Sequence, residues 1–397
     1  MTTTCHQSER TDAAGIVAVV VACLVLFADM LVYGLAIPIL PLRPSVVAVG
    51  PTATGALFAA YAAATLLVTP LAGWLVDRVG PRRILLIAVL TLAATSLLFA
   101  LGTGYGQLLA ARALQGAAAG LGWVAGLSLI AASTTAKSLG RAMGIAMSMA
   151  SVGLLVGPPL AGLLVERVST AAPFEFAAGL AVLFAVVLLA LPSRQSERAA
   201  AGGIRSVLRV PGAWPVLGAV ALSTTSIAAI EPVLPLHLTM TFGMNALLLG
   251  AVFAALVLAS AVFSPVAGAL VGRLDVRLLS LVGVLASAAG LGLLGLAERP
   301  WQVWLGAVLL GAGAGCLLAP ATTLVAVLGG LAKPAALGAA YTLFNLAYAA
   351  GLVVGPLMSG ASTARFGFGA TLAGLAVLFA AGGSLTLLRL PSGRATG

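Results

Sequence analysis

Two acidic residues, Asp29 and Glu231, stand inside long apolar runs of the sequence. A carboxylate near the centre of a bilayer costs roughly 2.5–3.5 kcal/mol on insertion scales, so such groups are kept for function. Loss of water favours the protonated form of a carboxyl group, whereas a bound cation favours the ionised form. Competition of proton and cation for one carboxylate is antiport in its simplest form, and Glu231, next to Pro232, is the better anchor for an ammonium group. Thr224 precedes Glu231 by two helical turns on the same face and is a further contact candidate. Arg112 is the sole basic residue deep within an apolar run, and it needs a carboxylate or carbonyl partner there. Asp29 is one candidate for that role.

Other chemistries lack their residues. The sequence has no His/Glu metal constellation and no nucleophile elbow, and Cys5, Cys23 and Cys316 have neither paired spacing nor His neighbours. No metal, no cofactor and no enzymatic activity is therefore expected. A net charge of +10 comes from 20 basic against 10 acidic residues without a dense basic run, which argues against nucleic-acid binding.

The elements that position these groups are membrane spans. Of 397 residues 61% are hydrophobic and 8% charged, with a mean hydropathy of +1.16. Soluble domains carry roughly 25% charged residues. Twelve apolar stretches recur, at 15–40, 52–76, 84–102, 105–132, 140–165, 174–192, 213–238, 246–271, 278–297, 301–329, 335–360 and 369–390. They are continuously apolar and rich in Ala and Leu where barrel strands would alternate, so the expected fold class is an all-α membrane protein.

Charge sets the direction. With the N-terminus inside, the inner segments hold fifteen basic residues, among them Arg78, Arg82, Arg83, Arg194, Arg198, Lys333, Arg389 and Arg394, and the outer ones hold Arg43, Arg167, Arg299 and Arg365. The positive-inside rule then places both termini in the cytoplasm. The first run is too long for a secretory signal and contains Asp29, so it reads as a retained helix. No Asn-x-Ser/Thr acceptor occurs, which fits a bacterial plasma (inner) membrane.

The longest polar connection divides the chain: a tail at 1–14, a six-helix bundle at 15–192, a cytoplasmic linker at 193–212, a second bundle at 213–390 and a tail at 391–397. At an offset of about 195 residues, PILPL at 38–42 matches PVLPL at 232–236, TPLAGWLVDRV at 69–79 matches SPVAGALVGRL at 264–274, and GLLVGPPLAG at 153–162 matches GLVVGPLMSG at 351–360. Two pseudo-symmetric bundles in the same orientation suit a transporter with a mid-bilayer site between rocking halves. Gly157-Pro158-Pro159 and Gly355-Pro356 remove backbone donors within spans and allow close helix approach, so bends are expected there, at the contact between halves.

Several motifs resemble those of one family. GWLVDRVGPRR at 73–83 resembles the loop motif between helices two and three of the major facilitator superfamily. LAARALQGAAAG at 109–120 resembles its helix-four arginine motif, and GLLVGPPLAG resembles the helix-five motif of its proton-driven antiporters. ARALQG at 111–116, APF at 172–174 and IEPVLPL at 230–236 are most similar to vesicular amine transporters. The resemblance implies a latch of Gly73, Asp77, Arg78 and Arg82 that shuts the cytoplasmic side. Asp77 sits at the C-terminal end of its helix, where the dipole disfavours a carboxylate; Arg78, Arg82 or the start of the eleventh span near Lys333 would offset it. The second copy has Gly272 where Asp77 falls. For Arg112 the resemblance implies proton coupling or a hold on the first bundle.

Departures from that family affect the charges. Its acidic residue in helix eleven is Asn345 here, another in helix ten falls near Leu318, and its helix-two lysine matches Tyr61. Asn345 can bond a ligand without carrying a proton, and Tyr341, Phe344 and Tyr348 around it, with Tyr33 in the first span, suit a cation by cation–π attraction. The resulting expectation is a monomeric proton-coupled antiporter exporting organic cations, lipophilic amines or drugs. The alternative is a facilitator or proton symporter for a neutral solute such as a sugar.

Overall fold

A computed structural model describes residues 2–134, 136–190, 204–271, 273–332 and 337–384, with side chains described from residue 15 and not for 136, 137, 337 and 338. The expected roles of Gly272, Lys333, Arg194, Arg198, Arg389, Arg394, most of the linker and the last tail fall outside those residues.

Among the described residues ten helices are long and apolar enough to cross a bilayer, and two shorter apolar helices, Ala213–Ala228 and Phe368–Gly383, take the seventh and twelfth places. The first six are α1 Thr2–Ile39, α2 Pro51–Val79, α3 Pro81–Leu101, α4 Tyr105–Ser133, α5 Ala136–Arg167 and α6 Ala172–Ala190. The remaining six places are filled by α7 Ala213–Ala228, which the short α8 Leu234–Phe242 follows, α9 Ala246–Leu270, α10 Val276–Gly295, α11 Pro300–Leu331, α12 Leu337–Phe366 and α13 Phe368–Leu378, which continues as a π-helical turn over Phe379–Gly383. The structure is all-α, as a chain that must satisfy its own backbone groups in lipid requires.

Helices outrun the apolar stretches that announce them. α5 reaches Arg167 and α12 reaches Phe366, because intrahelical bonding continues past the hydrocarbon boundary. α1 begins at Thr2, within the stretch read as a tail. The seventh span differs most: α7 and α8 are separated by turns at 229–233. Pro232 and Pro235 cause the break, since neither has an N–H to return to the carbonyls of Ala228 and Glu231 four residues earlier. Backbone bonds shorten accordingly, with the Glu231 N–H donating to the Ala228 carbonyl at 3.3 Å and the Ile230 N–H to that of Ile227 at 3.2 Å.

Two compact units divide the contacts, one of Met1–Ile39 and Ala63–Arg198, the other of Leu40–Ala62 and Ala199–Gly397. In the first, α1 packs on α4, α5 and α6, and α3 on α4 and α6; Phe99 and Phe174 meet with ring centroids 5.2 Å apart. In the second, α7, α10, α11 and α12 share a core that includes Val216, Val220, Val284, Leu324 and Leu343. Large apolar side chains such as Leu67, Leu101 and Met240 are exposed, which would be costly in water and is neutral against lipid.

Candidate functional site

In the first unit the helix α1 carries Asp29 inward. The carboxylate is 5% exposed, and its Oδ2 accepts a hydrogen bond from Trp123 Nε1–H at 2.9 Å. Trp123 lies on α4, whose glycines at 122 and 126 keep the helix surface low; Gly126 faces the Leu26 side chain, one turn from Asp29. A small cavity beside Asp29 is otherwise apolar, lined by Val25, Leu26, Ala88, Leu92, Ala118 and Gly122.

Arg112 is fully buried. Its Nη1–H donates to Gln115 Oε1 at 2.9 Å, and the guanidinium carbon lies 5.2 Å from the centroid of the buried Tyr33 ring. Tyr33 is one turn beyond Asp29 on α1, so Asp29, Tyr33, Arg112, Gln115 and Trp123 form one polar cluster in an Ala- and Leu-rich interior. Two of its contacts are the hydrogen bonds from Trp123 to Asp29 and from Arg112 to Gln115. Trp123 escapes a search for ionisable groups; its only signal is an indole donor amid the small residues LGWVAG at 121–126.

In the second unit Glu231 sits in the break between α7 and α8 and is 3% exposed. Four successive hydroxyl residues, Ser223 to Ser226, lead into it and all are buried. Thr224 Oγ1 donates back to the carbonyls of Val220 at 2.8 Å and Ala221 at 3.2 Å, so its proton is committed to its own helix. Helix α12 comes close here: a Cβ on Gly355 would stand 2.8 Å from the Thr225 carbonyl, and one on Gly351 would strike Thr224 Oγ1. Tyr348, one turn before Gly351, is within electrostatic reach of the Glu231 carboxylate. The Phe344 ring lies 6.1 Å from the Tyr348 ring, tilted by 31°. Tyr341 and Asn345 share that broad side of α12 and are exposed. Thr224 on α7, Glu231 in the break after it, and Phe344 and Tyr348 on α12 are therefore neighbours, with Tyr341 and Asn345 at the exposed margin of α12.

Bends were expected at both Gly-Pro pairs. Each proline lies inside a helix, Pro158 and Pro159 in α5 and Pro356 in α12, and each glycine packs within its own unit, Gly157 on Leu31 and Gly34 of α1 and Gly355 on α7.

The segment 73–83 makes contacts of several kinds. Gly80 has φ 96°, a conformation open to glycine, and Pro81 follows at the first position of α3. Arg78 lies over the Trp74 ring at 4.3 Å. Arg82 donates through Nε to the Leu188 carbonyl at 2.9 Å and through Nη2 to the Leu189 carbonyl at 2.7 Å, closing the last turn of α6, where carbonyls lack intrahelical donors. Among the described residues Asp77 is exposed and makes no ion pair. A Cβ on Gly73 would meet nothing within 4 Å.

Comparison with known proteins gives the family. The sequence profile of the Major Facilitator Superfamily matches residues 22–326 and again 216–396, the second match starting inside the repeat. The chain is 30% identical to the chromaffin granule amine transporter of Rattus norvegicus over 318 residues, 79% of this chain and 61% of that protein. It is 28% identical to the synaptic vesicular amine transporter of Bos taurus, over 79% of this chain and 62% of that protein. The chain thus spans about three-fifths of the length of these relatives. The crystal structure of a bacterial homologue of the human lysosomal transporter Spinster superposes with a TM-score of 0.72 at 15% identity, over 95% of this chain and 93% of that one; at that identity the likeness is one of fold.

Proposed function

The chain belongs to the Major Facilitator Superfamily, whose members here are membrane transporters and not enzymes, and from that premise we propose that it is a proton-coupled antiporter exporting organic cations or lipophilic amines by alternating access. The observation that carries the reading is one buried carboxyl group in each unit with an aromatic neighbour: Asp29 with Trp123, and Glu231 with Tyr348. A carboxylate beside an aromatic face is the chemistry that holds an ammonium group, by charge and by cation–π attraction. The same carboxyl group, protonated, releases it.

Within this reading Asp29 and Glu231 each exchange a proton for a cation, Glu231 being the better anchor, with Thr224, Phe344, Tyr348, Tyr341 and Asn345 beside Glu231 and Tyr33 beside Asp29. Arg112 takes part in the proton coupling of both acids. Gly73, Asp77, Arg78 and Arg82 form the cytoplasmic latch, and the Gly-Pro pairs gate. Protons and a small organic cation are the partners, the bilayer of a bacterial inner membrane is the setting with both termini cytoplasmic, and the unit of function is a monomer. The similarity to amine transporters supports the substrate class.

The test is reconstitution in liposomes with an imposed pH gradient and labelled amines, cationic dyes and sugars. Amine accumulation against its gradient that collapses with a proton ionophore is the expected result. Sugar equilibration without proton movement would replace this reading with that of a facilitator.

A further inference from the structure

Trp123 belongs to no motif discussed above, yet it supplies a hydrogen bond to an ionisable group buried in the first unit. Its indole N–H is a donor only and has no lone pair to accept a proton. The group therefore cannot relay protons, but it discriminates between the two forms of the carboxyl group it touches. A hydrogen bond to an ionised oxygen is roughly twice as strong as one to a neutral oxygen. The N···O distance is 2.9 Å and Asp29 is 5% exposed, so the bond is direct and shielded.

We infer that Trp123 is a positioning residue for proton exchange: its N–H orients the Asp29 carboxyl group and binds its ionised form more strongly than its protonated one. The inference rests on the antiport reading for its biological consequence, though not for its chemistry.

The surroundings of Asp29 leave few competing groups. α1 is packed by α3, α4, α5 and α6. From α3 come Ala88 and Leu92, while the charges of that helix, Arg82 and Arg83, lie in its first turn. The ionisable residues of α5 are Lys137 and Arg141 in its first two turns and Glu166 and Arg167 in its last, and α6 has only Glu175, in its first turn. α4 carries Tyr105 at its start, Arg112 and Trp123; α1 itself has Cys23 and Tyr33 nearby. Arg112 is thus the one charge at comparable depth, and its guanidinium lies over Tyr33 and on Gln115. Trp123 acts on Asp29 through a direct hydrogen bond.

Infrared titration of the full chain in detergent tests this directly. The carboxyl band of Asp29 is identified by its loss in Asp29→Asn. In Trp123→Phe the pH midpoint of that band is expected to move alkaline by about one unit, tenfold in proton affinity, with no such band in the double variant. Trp123→Tyr keeps a ring and a hydroxyl donor and is expected to stay nearer the wild-type midpoint. An unchanged midpoint in Trp123→Phe, or a Tyr variant shifted as far as the Phe variant, overturns the inference. Exchange assays on the same proteins separate the two readings: a shifted midpoint with transport indifferent to a pH gradient leaves the role of Trp123 intact and removes antiport. Proton-driven exchange with no shift does the reverse.

Discussion

Gly157 of α5 lies so close to Gly34 of α1 that a Cβ on Gly157 would stand 2.8 Å from the Gly34 Cα. The neighbouring Leu31 carbonyl is equally near. Gly355 meets the Thr225 carbonyl of α7 at the same distance, and Gly153 and Gly351 approach the carbonyls of Phe27 and Ala221. The register that aligns PILPL with PVLPL also aligns Phe27 with Ala221 and Leu31 with Thr225. The repeat is thus one helix contact made twice, and each copy sets the helix that bears the buried acid. Gly157→Val and Gly355→Val should each cost about 1–3 kcal/mol through overpacking, read as a lower melting temperature in detergent.

Gly73→Val is the contrasting case. Its Cβ meets open space, so the melting temperature should stay within the error of the wild type. If the latch reading is right, the added methyls obstruct closure and exchange slows severalfold. An unaltered exchange rate would remove Gly73 from the gating set.

Arg82 is tied to α6 through two carbonyls, one of the bonds exposed, so its contribution is moderate. Arg82→Gln should lower stability by about 1 kcal/mol, with Arg82→Lys intermediate because a lysine cannot reach both carbonyls as a fork. Substrate affinity in detergent should not change. A large loss of binding with unchanged melting would point to a direct contact with cargo.

Glu231→Gln removes the charge while keeping the shape of the side chain. Proton-driven exchange should fall to background, whereas some cargo binding persists through the rings of Phe344 and Tyr348. The driving forces also give a stoichiometric check. A membrane potential supplies about 2.3 kcal/mol per charge per 100 mV, and one pH unit supplies about 1.4 kcal/mol per proton. One proton exchanged for one monocation should respond to the pH gradient alone. If Asp29 and Glu231 each carry a proton, an imposed potential should add to accumulation, and Asp29→Asn should abolish that addition.

Much of this arrangement is legible in the sequence because bilayer physics leaves few solutions. Continuous apolar runs define the spans, and an acid within such a run is conspicuous. Asp29, Arg112 and Glu231 are legible for that reason, and the glycines of the repeat announce close packing. Trp123 is not, since an indole in an apolar helix looks like packing until its N–H is seen on a carboxylate. The partners of Arg82 are equally hidden: a motif of alternating charges suggests ion pairs, but the carbonyls at the end of α6 come near only once the helices are assembled. The break at 229–233 lay in plain view as Pro232 and Pro235, yet hydropathy is blind to missing donors and merged α7 and α8 into one span.

That break leads to the last expectation. Pro232 and Pro235 each withhold an N–H from the seventh span, and Glu231 lies between two half-helices as a result. Replacing both by Ala supplies donors for the carbonyls of Ala228 and Glu231, so that one helix can run through the segment the prolines interrupt. Part of that gain is lost because the surrounding helices are packed around the broken form. The double variant should therefore melt at a higher temperature but exchange cargo more slowly, since a continuous helix turns Glu231 with the rest of its face and stiffens the segment that must rearrange when the acid changes hands. Circular dichroism gives the added helix, thermal scans the stability, and liposome flux the rate. Faster or unchanged exchange from a measurably straighter, more stable protein would show that the break serves folding alone.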